Sequence, residues 1–295
     1  MRAIRINKLR PVKQGGGTDW DWFLRFVDAG GEPAKQRWQR WSAQRSGPEW
    51  EQVKDFLSGF RHDVLHRVDL KDISAVCGVE GYSGRTTSHA LGTLRPADGA
   101  FSAIADFSTP FAIEYLLHDC LERLGRVPLW NDVKRYLFVE QRERYILPFL
   151  TRYGIAGTPA AAAGTPHLNA LQWRVGNAYY SWLREVHLLT MLRSVHGLDV
   201  RYHALADTEF KADLVAGNAI IALYVPNARF RDGDRGRKRS ARAINPDRQV
   251  IEVRLDVRKV HGRPWLVEED CIRSLANLIA DAGCPRLSSP GSRAA

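Results

Sequence analysis

The chain has 295 residues, 44% hydrophobic and 26% charged, the balance of a folded globular protein rather than a disordered or fibrous one. No apolar run approaches the ~20 residues a membrane helix needs. No apolar stretch follows the basic start MRAIRINKLRPVK, and Cys77, Cys120, Cys271 and Cys284 are scattered without CxxC pairs or histidines at zinc-finger spacing. A membrane span, a disulfide framework and a structural zinc site are therefore not expected, the cytoplasm is the expected location, and a net charge of +10 points to a polyanionic partner, nucleic acid first.

Residues 1–110 form a mixed region rich in Trp and Arg. Trp38 and Trp41 stand at i, i+3 among Lys35, Arg37, Arg40 and Arg45. That spacing predicts an amphipathic helix that buries two indoles, with stacking on bases as the alternative use of rings interleaved with Arg. As a region, 1–110 is also a candidate surface for protein subunits. Residues 48–59 read as a helix with Gly59 near its C-cap, and 78–100, rich in Gly, Ser and Thr, as loop or short strand.

Residues 111–155 are the clearest helical block. FAIEYLLHDCLERLG repeats apolar residues at three- and four-residue spacing and ends at Gly125. After Pro128, Asn131 is placed to cap DVKRYLFVEQRERYI, giving a helix-turn-helix-like pair whose second helix carries Lys134, Arg135, Arg142 and Arg144. The small, uncharged run 154–170 is the expected domain boundary, leaving 156–295 as a separate domain.

In that last segment the pattern is helix, three strands, further strand, helix. Residues 172–195 predict a long helix with Trp182, Val186, Leu189 and Leu192 in one stripe, and Glu185 on its apolar side. A carboxylate there needs a partner, because an unpaired buried charge is costly. A rim ion pair with Arg184 or Arg193 is the structural alternative. LDVRYHAL reads as a strand, and KADLVA and AIIALYV as a hairpin around Gly217-Asn218. That turn pairs Ala216 with Ala219, Val215 with Ile220, Leu214 with Ile221 and Asp213 with Ala222. It aligns Glu209, Lys211, Asp213, Ala222 and Tyr224 on one face.

The segment SWLREVHLLTMLRSVHGLDV followed by YHALADTEFKADLVAGNAIIALYV resembles the PD-(D/E)xK, or restriction-endonuclease-like, nuclease superfamily. The resemblance, which covers roughly residues 172–280, implies a restriction-endonuclease-like αβββαβ core; with the helical N-terminal region and its helix-turn-helix-like pair read above, the expected chain is mixed α/β. The resemblance also implies a site in which Glu185 and Asp213 bind a divalent metal, with Mg²⁺ as cofactor and DNA as substrate. In the family the next strand supplies Glu-x-Lys. Here that position falls on Ala222-Leu223-Tyr224, which carries neither the acid nor the amine. Lys211 is the candidate replacement amine beside Asp213, with Glu209 one step further. Glu252-Val253-Arg254 mimics the motif, but Arg does not readily deprotonate and its register is expected to differ, so it reads as structural.

Residues 229–242, RFRDGDRGRKRSAR, hold seven basic residues (Arg229, Arg231, Arg235, Arg237, Lys238, Arg239 and Arg242) and two acidic ones, half the chain's charge excess. They are the expected phosphate contacts. No phosphate-binding GxxxxGK[ST] loop, GxSxG elbow or HExxH pair is present, and His187, His196 and His203 read as surface or packing residues. Two functions stay open. One is a DNA-associated, Mg²⁺-dependent endonuclease of the kind used in restriction, antiviral defence, repair or transposition. The other is a catalytically inactive DNA-binding or assembly subunit.

Overall fold

The computed structural model describes residues 17–83, 111–152, 166–224, 241–254 and 266–287. The chain is mixed α/β, mostly helical with one small sheet. Among the described residues no helix is long and apolar enough to cross a membrane.

The N-terminal part is a stack of helices: α1 (Trp20–Asp28), α2 (Glu32–Gln44), α3 (Pro48–Ser58) and α4 (Leu70–Ser83). Local chemistry sets their ends. The Asp19 carboxylate accepts the Trp22 N–H (2.9 Å) at the start of α1, and prolines stand in the first turns of α2 and α3. The helix expected over 48–59 is present, and α4 extends to Ser83 into the stretch expected to be loop.

The tryptophans are used inside the fold. Trp41 is buried, Trp38 stacks on it with ring centroids 5.0 Å apart, and Trp20 meets Trp38 edge-on at 5.6 Å. The Arg45 guanidinium lies over both Trp41 (4.6 Å) and Trp50 (4.8 Å) and pairs with Glu209 at 3.8 Å. Arg45→Ala is expected to cost about 1–2 kcal/mol in urea unfolding, through lost cation–π contact and packing. A cost near zero would show the stack to be slack.

In the second block, α5 (Ile113–Leu124) ends at Gly125, whose φ of 66° suits a residue without a Cβ. The single helix expected after it is broken: α6 (Trp130–Arg135), a π-helical segment (Tyr136–Glu140), α7 (Arg142–Tyr145) and α8 (Leu147–Arg152). Asn131 is not the cap. Glu80 accepts the Trp130 N–H (2.8 Å) and Asp132 the Leu129 N–H (3.0 Å). The Tyr136 hydroxyl is held by the Asp119 carboxylate, and Arg135 pairs with Glu140 across the π segment (3.0 Å). Arg144 lies over Phe56 and Phe111. The straight basic helix that a reading helix requires is therefore not formed.

The expected boundary at 154–170 lies largely outside the described residues, and α9 (Pro166–Ser194) begins within it. Then follow β1 (Val200–Arg201), α10 (Ala204–Phe210), β2 (Leu214–Ala216), β3 (Ala219–Tyr224), α11 (Ala241–Ile244), β4 (Gln249–Arg254) and α12 (Glu269–Asp281). The strand order is β1-β2-β3-β4. The first two pairings are antiparallel and β4 is parallel to β3.

The hairpin register is the one the Gly217-Asn218 turn dictates: Ala216 opposite Ala219, Val215 opposite Ile220, Leu214 opposite Ile221. Gly217 has φ 58° and supplies the left-handed residue of the turn. The long strand expected over LDVRYHAL is not formed. Val200 and Arg201 pair with β2 and Leu198 makes an isolated bridge with Arg286; the segment leaves the sheet after Arg201, because the His203 ring accepts the Leu205 N–H (3.1 Å) and starts α10.

One core runs through all of these segments. Phe23 of α1 packs edge-on against Phe210 of α10 (5.7 Å) and stacks on His203 (5.0 Å). His118 of α5 stacks on Tyr202 (4.2 Å), and α9 packs against α4, α5, β1 and α12.

Candidate functional site

On α9, Trp182, Val186, Leu189 and Leu192 are buried, and Glu185 lies beside them at the border of the core. The rim ion pair does not form: Arg193 turns to Asp199 (3.2 Å) and to the Val200 carbonyl (2.7 Å), while Arg184 donates to Ser181 Oγ (2.7 Å). Arg184 is 8% exposed, and its buried Nε has no partner. Glu185 instead faces other acids. Burial first, then the charges of Asp213 and Glu114, push its carboxyl up to about 8 against the pull of Arg184 and Ser181.

Asp213 stands just before β2, where the ladder with β3 would continue. Its carboxylate takes the next ladder position, accepting the Leu223 N–H at 2.5 Å. Burial pushes its carboxyl up to about 6. The Leu223 N–H, a hydrogen bond from Asp207, and the charges of Lys211 and Arg184 hold it from rising further.

Asp207, on α10, is the acid that sequence reasoning missed. It accepts the Tyr202 hydroxyl (3.1 Å). Burial, then the charges of Asp213, Glu185 and Glu114, raise it well above the carboxylate range. Asp207 and Asp213 are joined by a hydrogen bond that holds Asp213 down, and the two titrate as a pair. Glu185, Asp207 and Asp213 are each half-buried, and their charges act on one another in an acidic recess at the edge of the core. The missed signal was ALADTEF: good helix formers, with Asp207 one turn after His203.

The other expected site residues are placed differently. Lys211 is not on a strand beside Asp213. It is the C-cap of α10, in the left-handed conformation (φ 59°), with Nζ donating to the Thr208 carbonyl at 3.0 Å. Its charge still acts on Asp213. Glu209 points away and pairs with Arg37 (3.6 Å) and Arg45 (3.8 Å) of the N-terminal helices. Tyr224 is 47% exposed at the end of β3.

The register expected to separate Glu252-Val253-Arg254 from the β3 position is not separate. Ala222 pairs with Glu252, Leu223 with Val253 and Tyr224 with Arg254, so the exposed Glu252 and Arg254 flank the two β3 positions that lack an acid and an amine. Of the basic run, Arg229, Arg231, Arg235, Arg237, Lys238 and Arg239 lie outside the described residues, and Arg242 is exposed on α11.

As they stand, no three His, Cys, Asp or Glu side chains among the described residues are arranged to hold a metal ion. The donor chemistry nevertheless fits a hard divalent cation: Asp207 and Asp213 offer oxygen donors only, and each raises the other's affinity for positive charge. No family model, curated protein or solved structure matches the chain.

Proposed function

We propose that the chain acts on nucleic acid through a restriction-endonuclease-like core, and that the recess of Glu185, Asp207 and Asp213 serves Mg²⁺-dependent phosphodiester hydrolysis. The observation that carries this reading is that these half-buried acids, drawn from α9, α10 and the start of β2, act on one another's charge. Like charges so placed are costly unless a cation offsets them. The sheet order, with antiparallel β1-β2-β3 and parallel β4 after a long helix, agrees with the same reading.

Asp207 and Asp213 would hold Mg²⁺, with Glu185 as the third carboxylate. The ion would supply charge neutralisation at the phosphate and a more acidic bound water. The chain's own groups do the rest. The Leu223 N–H and the Tyr202 hydroxyl fix the orientations of Asp213 and Asp207, and the Arg184 guanidinium adds positive charge beneath the recess. Without a cation, Glu185 holds a proton near neutral pH.

A second reading, a nucleic-acid-binding or assembly module without cleavage, is favoured by Ala222 and Tyr224 in β3 and by the tethering of the Lys211 amine to Thr208. Incubating the full chain with labelled duplex and single-stranded DNA in Mg²⁺ or Mn²⁺ separates the two. Metal-dependent cleavage supports the first reading. Salt-sensitive binding with no cleavage under any condition supports the second.

Both readings assign the phosphate contacts to the basic run. Replacing Arg235, Arg237, Lys238 and Arg239 by Ala is expected to weaken binding to all sequences alike. It should also flatten the slope of log K against log salt by about 3–4 on duplex DNA. An unchanged slope would remove that run from the interface.

A further inference from the structure

Four histidines from distant parts of the chain meet beneath the recess: His62 and His66 from the turn before α4, His118 from α5 and His203 at the start of α10. They are 0%, 7%, 1% and 1% exposed. The His62 ring lies 4.9 Å from that of His203 and 5.4 Å from that of His118.

Each ring already uses one nitrogen as an acceptor. His62 Nε2 accepts the Ala204 N–H (3.2 Å), His66 Nε2 the Tyr202 N–H (3.1 Å), His203 Nδ1 the Leu205 N–H (3.1 Å) and His118 Nε2 the Trp182 indole N–H (3.0 Å). An N–H can only donate, so each facing nitrogen must be unprotonated. The second nitrogens of His62 and His66 donate to the carbonyls of Thr18 (3.1 Å) and His62 (2.7 Å). His118 Nδ1 and His203 Nε2 are buried without a partner. Hydrogen bonding thus fixes the charge state of all four rings and the tautomer of each.

What these rings hold is the approach to the recess. Three backbone amides within residues 202–205 are bound by imidazoles, and the side chains of Tyr202 and Asp207 then meet at 3.1 Å in the recess itself. We propose that His62, His66, His118 and His203 are positioning residues, a neutral latch that holds residues 202–205, and so Tyr202 and Asp207, in place, and that opens when the rings take up protons together. The consequence for the site rests on the metal-binding reading above; the latch does not.

The carbonyls of Thr18 and His62 favour charge on His62 and His66, but burial outweighs them. Arg193 and Arg201 act unfavourably on His66, and the rings act unfavourably on one another. The nearest acids are engaged elsewhere: Asp63 in the turn accepts the Gly17 N–H, and Glu122 of α5 the N–H groups of Val64 and Leu65. Glu185 lines a small cavity with His118, but it carries a proton itself near neutral pH. Burial holds His62 down to about 3 and the other three well below the ordinary imidazole range.

The test follows the rings and amides of the full chain, ¹⁵N-labelled, between pH 8 and pH 4. Two-bond ¹H–¹⁵N spectra should show His62, His66 and His118 protonated on Nδ1 and His203 on Nε2. All four should stay neutral well below pH 6.5 and then titrate in one transition steeper than a single-proton curve. Amide exchange at Tyr202, Ala204 and Leu205 should lose at least 10-fold of its protection there, before the amides of β2 and β3. Independent titration of the rings near pH 6.5, with 202–205 still protected, would overturn the proposal.

Variants add a second readout. His66→Gln keeps an acceptor on the Tyr202 N–H side and does not titrate. It should bind Mn²⁺ within about 3-fold of the parent at pH 7 and move the transition to lower pH, whereas His66→Ala should lose more than 10-fold in Mn²⁺ affinity. Equal Mn²⁺ binding by both variants would refute the positioning role. If neither variant folds, the spectra of the parent chain decide. If the parent binds no Mn²⁺, the metal reading fails while the same spectra still decide the latch.

Discussion

Asp213→Asn is expected to lower metal-dependent cleavage at least about 100-fold and Mn²⁺ affinity by about 10- to 100-fold, while leaving the protein folded. The side chain keeps its volume and an oxygen able to accept the Leu223 N–H, so the junction of β2 and β3 is preserved. What disappears is one negative charge from a crowded recess. The Glu185 carboxyl then loses the largest charge acting on it and should titrate lower. Thermal unfolding should be unchanged or shifted slightly upward, because a repulsion is relieved at the expense of activity. Cleavage at the parental rate would remove Asp213, and with it the recess, from the chemistry.

The second large effect concerns acid. A histidine whose folded-state pKa is depressed gives stability that is complete above the unfolded value of about 6.5. That stability drains away as pH falls towards the folded value, about 3 for His62. Between pH 7 and pH 5.5 the His62 ring forfeits about 1 kcal/mol, and His66, His118 and His203 act in the same direction. The carboxyls of Glu185, Asp207 and Asp213 act in the opposite sense. Their raised values give stability that is full below the unfolded carboxylate range and lost as pH rises, through about 6 for Asp213 and about 8 for Glu185. A comparison that cancels the carboxyls isolates the rings. The double variant His62→Gln/His66→Gln keeps all three acids, and its stability relative to the parent should rise by at least about 1 kcal/mol between pH 7 and pH 5.5 in urea unfolding. A change below about 0.5 kcal/mol would mean that the rings already accept protons in the fold.

How much of this was readable beforehand depends on the range of the interactions. The hairpin was legible because alternation and a Gly-containing two-residue turn set its register locally. The α9 stripe and the inward lean of Glu185 followed from helical periodicity alone. What lay beyond reach was set by partners far along the chain. A histidine ring starts α10 in place of the usual Ser, Thr or Asp, so the segment read as strand, Asp207 went unnoticed and Lys211 was assigned to the wrong element. The second helix of the central block breaks where Tyr136 reaches Asp119, a contact no local pattern announces. The parallel register that brings Glu252 beside Ala222 depends on the crossover between β3 and β4 rather than on either strand.

The packing of Phe23 on Phe210, of His118 on Tyr202 and of His62 on the Ala204 amide has a practical outcome for dissecting the molecule. A recombinant fragment beginning at Pro166 would carry the whole sheet and both ends of the recess. It would also present the naked aromatic undersides of residues 202–210 to water and leave the Tyr202 and Ala204 amides without their imidazole acceptors. Such a piece should aggregate rather than dissolve as a miniature of the parent, so the acidic recess has to be studied in a polypeptide that retains its amino-terminal helices.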